Sequence, residues 1–164
     1  MQIQTNQIQT RIQVQVQTQP FDANQLEQAL QTDSQIGAVA SFIGRVRDHG
    51  DQPDVVGLVL EHYAGMTEQV LTRYCQQASQ RWPLGAIVLI HRVGELRLGE
   101  PIVGVAVSSA HRKDAFEAVQ FLMDFLKHDA PFWKRELLAS GVSAWVEQKT
   151  SDQQQLSRWS MSDA

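Results

Sequence analysis

The chain has 164 residues, 43% of them hydrophobic and 20% charged, which suits one compact domain with an ordinary core. Its longest apolar runs, 86–90 and 102–107, fall far short of the ~20 residues that a bilayer span needs, and its first residues show neither the basic nor the apolar region of a signal peptide. A net charge of −4 and a single cysteine, Cys75, argue against a general nucleic-acid binder, an intramolecular disulfide and a multi-thiolate metal site.

Glutamine is the odd entry in the composition, with 22 copies, 12 of them before residue 36. Inside that stretch Ile12, Val14 and Val16 alternate with Arg11, Gln13, Gln15 and Gln17. A period of two predicts a half-buried strand over 10–18, with residues 1–8 frayed. Pro20 stops it. Asp22 can then cap a short helix over 23–30, whose apolar stripe is Leu26, Ala29 and Leu30. Residues 37–43 read as a buried strand running into Gly44-Arg45-Val46-Arg47, and the polar stretch 48–54, with Gly50 and Pro53, as a mobile loop. A strand over 55–63 and a turn at Gly65 follow. Thr67 can cap a helix in which Val70, Leu71, Tyr74, Ala78 and Trp82 recur every three to four residues until Pro83 and Gly85 end it. Strands over 86–92 and 101–109 join through Gly94 and Gly99. A long helix over 113–127 puts Phe116, Val119, Leu122, Met123 and Leu126 on one face, and Pro131 breaks it. Residues 132–138 read as a further helical turn or two, 143–149 as a last strand, and 151–164 as a polar tail anchored by Trp159. Nothing divides the chain. The irregular alternation predicts a single α+β domain over 1–164, a mostly antiparallel sheet covered by helices.

Several residues could carry chemistry. Cys75 falls mid-helix and reads as a small semi-buried hydrophobe sooner than as a nucleophile, since nothing places a base beside it. Ser108-Ser109-Ala110-His111-Arg112 lies where a strand gives way to a helix. Free N–H groups at a helix start, a capping serine, an imidazole and a guanidinium together suit a phosphate or carboxylate, although an ordinary capped helix looks the same. Lys127 ends a stripe shared with Phe116, Gln120 and Met123. It can snorkel to solvent and favour the helix C-terminus, or stand half-buried as a base or nucleophile. Ala130-Pro131-Phe132-Trp133-Lys134-Arg135 puts two aromatic and two cationic side chains in a short stretch, as binding surfaces do. Arg45 and Arg47 flank Val46 and can share a face, as anion ligands or as plain surface charge. Glu61, His62 and Glu95 could act as acid or base with nothing to single them out. His49, His62, His91 and His128 fall in different elements. No metal-ligand spacing and no Gly-rich phosphate loop is visible, so neither metal nor cofactor is expected.

Taken in order, Phe42-Ile43-Gly44-Arg45-Val46-Arg47, Leu60-Glu61-His62-Tyr63-Ala64-Gly65-Met66-Thr67, Arg81-Trp82-Pro83-Leu84-Gly85, Ile90-His91-Arg92-Val93-Gly94-Glu95-Leu96, Ser108 to Arg112, Ala130 to Glu136 and Ser151-Asp152-Gln153-Gln154 resemble the large, catalytic subunit of molybdopterin synthase, over about residues 37–159. The resemblance implies an α/β hammerhead fold and a cytoplasmic sulfurtransferase. Such an enzyme takes sulfur from the C-terminal Gly-Gly thiocarboxylate of a small ubiquitin-like subunit and converts cyclic pyranopterin monophosphate (precursor Z) to molybdopterin. It implies a homodimer of large subunits inside a heterotetramer, with a pocket that borrows residues across the dimer. Lys127 and Lys134 match the family's active-site lysines, Lys127 as proton-transfer group or covalent participant and Lys134 to orient substrate or stabilise negative charge. Arg47, His111 and Arg112 match its anion-binding pocket, and Phe42 and Met123 match positions lining the pocket for the partner's tail.

The chain departs from the family pattern at a few places. Ala64 stands where proline is expected, Arg45 replaces a frequent lysine, and 137–144 differs in character and length. Lys149 lies near a basic position of the family. The first 20 residues offer no clear match to the family. A non-catalytic module that docks a ubiquitin-like tail would keep Phe42 and Met123 without needing both lysines, His111 and Arg112. A generic anion-binding domain is what the residues imply without the ordered motifs.

Overall fold

Two four-stranded sheets organise the computed structural model, which describes residues 9–48, 53–146 and 156–159. The expectations placed on residues 1–8, on His49 and the middle of the 48–54 loop, and on Lys149 and the segment Ser151-Asp152-Gln153-Gln154 lie outside the described residues. The first sheet contains β1 (Arg11–Gln17), β4 (Leu84–Arg92), β6 (Pro101–Ser109) and β2 (Ala38–Arg45), in that spatial order. β1 runs parallel to β4, and the other two pairings are antiparallel. The second sheet, antiparallel throughout, has the order β5 (Gly94–Arg97), β3 (Val55–His62), β7 (Phe132–Leu138) and β8 (Gly141–Trp145). The helices are α1 (Ala23–Ala29), α2 (Met66–Arg81) and α3 (Arg112–Asp129).

The alternation along each strand sorts the apolar side chains into two layers. Ile87, Leu89, Val103, Val105 and Val107 share one face of the first sheet and pack against Leu71, Tyr74, Cys75 and Ala78 of α2 and Ala118, Phe121 and Leu122 of α3. Ile12, Val14 and Val16 join this layer from β1, so the glutamine-rich start of the chain is a strand whose apolar half is used. Ala86, Val88, Ile90 and Ala106 face the other way, onto Phe21, Leu26 and Leu30 around α1. Gly104 is what lets α1 lie so close: a Cβ there would stand 2.2 Å from a Leu26 methyl and 2.6 Å from the Phe21 ring.

Helix starts agree with expectation at α1 only. The Asp22 carboxylate accepts the Gln25 N–H at 2.9 Å, and the Gln25 side chain answers from the Asp22 N–H at 2.9 Å. α2 is capped not by Thr67 but by Gly65, whose positive φ of 84° suits glycine and whose N–H donates to the Glu68 carboxylate at 2.6 Å. Thr67 lies inside the helix and donates its hydroxyl to the Tyr63 carbonyl at 2.9 Å. At α3 no serine caps: His111 occupies that position without a side-chain bond, while the buried Ser109 hydroxyl donates to the Pro83 carbonyl at 2.9 Å.

The second correction concerns 132–138, which is the strand β7 and not further helix. Pro131 ends the helical ladder, and Phe132, Trp133 and Lys134 find backbone partners on β3 at His62, Glu61 and Leu60. Both faces of β7 are partly covered, so its sequence lacks the clean alternation that would reveal it. The short β5 lies where only a connection was expected, and the last strand starts at Gly141.

Candidate active site

α3 runs back along the face of the first sheet, antiparallel to β6, from the Ser109 end to the Val103 end. Its last turn carries Lys127 and His128, favourably placed against the helix dipole. Two residues, Ala130 and Pro131, connect it to β7, which presents Phe132, Lys134 and the buried Glu136 on one face. Lys127 is exposed and Lys134 half-buried. The two lysines therefore flank a tight turn with Phe132 between them.

Phe132 is held by histidines. Its ring lies 3.8 Å from the His91 ring at an interplanar angle of 15°, and 6.3 Å from His62, its cross-strand partner on β3. His91 is 8% exposed. Burial lowers its pKa to about 4, helped by the Lys127 and His62 charges and opposed by the Arg92 carbonyl 2.8 Å from Nδ1. The ring is thus neutral, and donation to that carbonyl places its proton on Nδ1. Arg92, itself buried, fixes the strand end by donating to the carbonyls of Thr18 at 3.1 Å and Pro101 at 3.4 Å and by lying 3.6 Å from Glu100. On the other side His62 Nδ1 is buried with no hydrogen-bond partner among the described residues.

The same end of the sheet gathers more of the residues expected from sequence. Arg47 follows the end of β2, beyond the Arg45–Pro101 register, and is exposed. Phe42 lies on the α3 face of β2, 42% exposed, its ring edge 3.3 Å from where a Gly44 Cβ would stand. Met123, one turn before Lys127, is buried in the main core. Arg45 donates to the Gly99 carbonyl at 3.0 Å, a loop tie.

His111 and Arg112 stand elsewhere. They open α3 at the Ser109 end and line a shallow cavity of about 460 Å³ with Gly37, Ala110, Lys113 and the exposed Phe116. Along a helix rising ~1.5 Å per residue, Arg112 and Lys127 are about 22 Å apart. One chain thus carries two separate cationic clusters. Cys75 belongs to neither: it is fully buried, and burial pushes its thiol up to about 12.

Sequence reasoning missed the His62–Phe132–His91 arrangement. Both histidines were visible, but β3 and β4 lie in different sheets and it is Phe132 of β7 that meets the rings at both of their ends, which no spacing encodes.

Fold and site together define an α+β protein that gathers lysine, arginine and aromatic side chains at one end of its main sheet and a histidine–arginine pair at the other. A family model described as "MoaE protein" matches residues 16–129. The molybdopterin synthase catalytic subunit of Vibrio cholerae is 49% identical over 146 residues, 89% of this chain and 97% of that one. The Escherichia coli protein of the same name is 50% identical over 141 residues, 86% and 93% of the two chains. Among solved structures, the molybdopterin biosynthesis MoaE protein from Burkholderia ambifaria superposes with a TM-score of 0.78 at 41% identity, covering 92% of this chain and 99% of that one. The chain belongs to the molybdopterin synthase catalytic subunit family.

Proposed function

We propose that this chain acts in the cytoplasm as a single-domain catalytic subunit of molybdopterin synthase. It transfers sulfur from the C-terminal thiocarboxylate of a small ubiquitin-like subunit to cyclic pyranopterin monophosphate, forming the dithiolene of molybdopterin. The observation that carries this reading is the placement of Lys127 and Lys134 on either side of the two-residue α3–β7 turn, in a chain of this family. Lys127, exposed at the end of α3, is within reach of an incoming tail and serves as proton-transfer group or covalent participant. Lys134, half-buried, stabilises the negative charge that develops as sulfur leaves the acyl carbon. Phe42 and Met123 line the approach of the glycine tail, and Arg47 supplies a cation at the same end.

His111 and Arg112 hold the substrate's phosphate or the partner's carboxylate, and they reach the lysines only from a second copy of the chain. The separation of about 22 Å within one helix supports this homodimer. So does the exposed apolar Phe116, which lines the same cavity as His111 and Arg112 and which a partner copy would cover. Two such large subunits with a small subunit at each end make the heterotetramer.

Purified protein supplied with thiocarboxylated small subunit and precursor Z should yield molybdopterin, and Lys127→Ala should abolish most turnover while leaving the fold intact by circular dichroism. Normal turnover by that variant would remove the role given to Lys127. Binding of the tail by the wild type with no product at all would favour the non-catalytic docking module instead.

A further inference from the structure

We propose that His91 is a positioning residue for the sulfur-transfer reaction: its ring, stacked on Phe132, fixes the α3–β7 turn and with it Lys127 and Lys134. The inference rests on the function proposed above. Phe132 stands between the two lysines in sequence, and its N–H donates to the Ala130 carbonyl at 2.8 Å, so the backbone that carries the ring is tied directly into the turn. The His91 ring it stacks on is itself anchored, through Nδ1 to the Arg92 carbonyl at 2.8 Å. The Arg92 guanidinium in turn grips Thr18, just past the end of β1, and Pro101 at the start of β6. A rigid series therefore runs from the body of the first sheet through an imidazole and a phenyl ring to the lysine-bearing turn. Reacting groups held from behind in this way keep the sub-ångström placement that group transfer needs.

The groups facing His91 are consistent with a ring that works uncharged. Lys127 approaches it from α3 and His62 from β3, and the Arg92 carbonyl faces it from its own strand. A protonated imidazole there would repel Lys127. What the reaction needs from position 91 is thus a flat ring and not a proton donor.

Three variants test this with thiocarboxylated small subunit and precursor Z under saturating and limiting conditions. His91→Ala should lower kcat roughly 10–100-fold with little change in KM, the scale expected when reacting groups are displaced by about 1 Å. His91→Phe should recover most of that loss, and its acid limb of kcat against pH should coincide with the wild type's. Phe132→Leu, which removes the stack from the other side, should reproduce the kcat loss, and it serves if His91→Ala does not fold. Combining the two losses in one chain should cost no more than the larger alone, because both break the same contact. Wild-type kcat in His91→Ala or Phe132→Leu would overturn the proposal. So would loss of the acid limb in His91→Phe, since that would make the imidazole a titrating participant, and so would activity in His91→Phe no higher than in His91→Ala, since the ring stack would then carry nothing. If the wild type itself forms no product, the sulfur-transfer reading fails and the role of His91 with it, whereas wild-type turnover that His91→Ala and Phe132→Leu leave unchanged overturns the role of His91 alone.

Discussion

Burial keeps the His91 imidazole uncharged down to about pH 4, whereas an unfolded chain protonates it near its ordinary value of 6.5. Between those two values the unfolded state binds more protons than the native one, so stability rises with pH across this window and is fully present above it. Below pH 4 both states are protonated and the loss is complete. Each tenfold difference in proton affinity between the two states is worth ~1.4 kcal/mol, so the full window amounts to something on the order of 3 kcal/mol. Urea midpoints measured from pH 7 to pH 4 should therefore fall more steeply for the wild type than for His91→Phe, which has nothing to protonate there. Parallel curves would show that the ring is hydrated in the native protein. Asp129 behaves differently. Partial burial pushes its carboxyl up, but hydrogen bonds from Tyr74 and His128 and the neighbouring His128 and Arg73 charges outweigh that and hold it below the usual range. Its stabilisation is present at neutral pH and fades in acid, while Tyr74, desolvated and bonded to Asp129, is pushed up to about 12. Single residues of this kind were only half legible in the sequence. Cys75, one position after Tyr74 of the apolar stripe, was legible as a small semi-buried hydrophobe and is fully buried, but the environment of His91 depends on a phenyl ring from a strand that the sequence did not reveal.

Among the elements, the short helical segment of 156–159 does more than end the chain. Trp159, 6% exposed, meets the Phe121 ring edge-on at 5.3 Å and the Trp82 ring at 5.7 Å, and so closes the gap between α2 and α3. Its indole N–H donates to Asp124 at 2.7 Å, where the Gln120 amide satisfies the other carboxylate oxygen at 2.8 Å, and its backbone carbonyl accepts from Arg81 at 3.1 Å. Trp159→Ala should destabilise the protein by about 3–5 kcal/mol, from the cavity and from a buried carboxylate left short of a donor. Trp159→Phe keeps the ring but not the donor and should lose on the order of 1–3 kcal/mol. Guanidinium denaturation distinguishes the two, and an unchanged midpoint in Trp159→Ala would mean that the segment is not docked in solution. Its anchoring role was legible as a lone tryptophan in a polar tail. β1 was legible too, because Ile12, Val14 and Val16 alternate cleanly with polar neighbours and one face of the strand is all that the core uses. β7 was not. Leu137 and Leu138 follow Glu136 with no period, since the strand is partly covered on both faces and its pairing with β3 is decided far away in sequence.

At the scale of the whole molecule the candidate site divides, in keeping with a pocket that borrows residues across a dimer, as the family resemblance implies. The ordered motifs of the family identified Lys127, Lys134, Arg47, His111 and Arg112 as one group, yet α3 places Arg112 and Lys127 at opposite ends, about 22 Å apart. The resemblance implies borrowing across a dimer, but it is the run of α3 that separates Arg112 from Lys127. If each complete pocket takes its lysines from one protomer and His111 with Arg112 from the other, the two half-sites can be inactivated separately and recombined. A Lys127→Ala homodimer and an Arg112→Ala homodimer should each show little turnover. When the two are mixed under conditions that exchange subunits, a mixed dimer has one pocket carrying both defects and one carrying neither. Random exchange makes half the dimers mixed, so activity should recover to about a quarter of the wild-type level, as isologous two-fold pairing requires. Turnover that stays at the sum of the two inactive parents after exchange has been verified by mass spectrometry would mean that each pocket is built within one chain. The half-site at His111 would then need another role. Recovery also has a control in a chain carrying both substitutions: mixed with the wild type, it leaves every mixed dimer with each pocket damaged once, and activity should fall below the proportion of wild-type chains present.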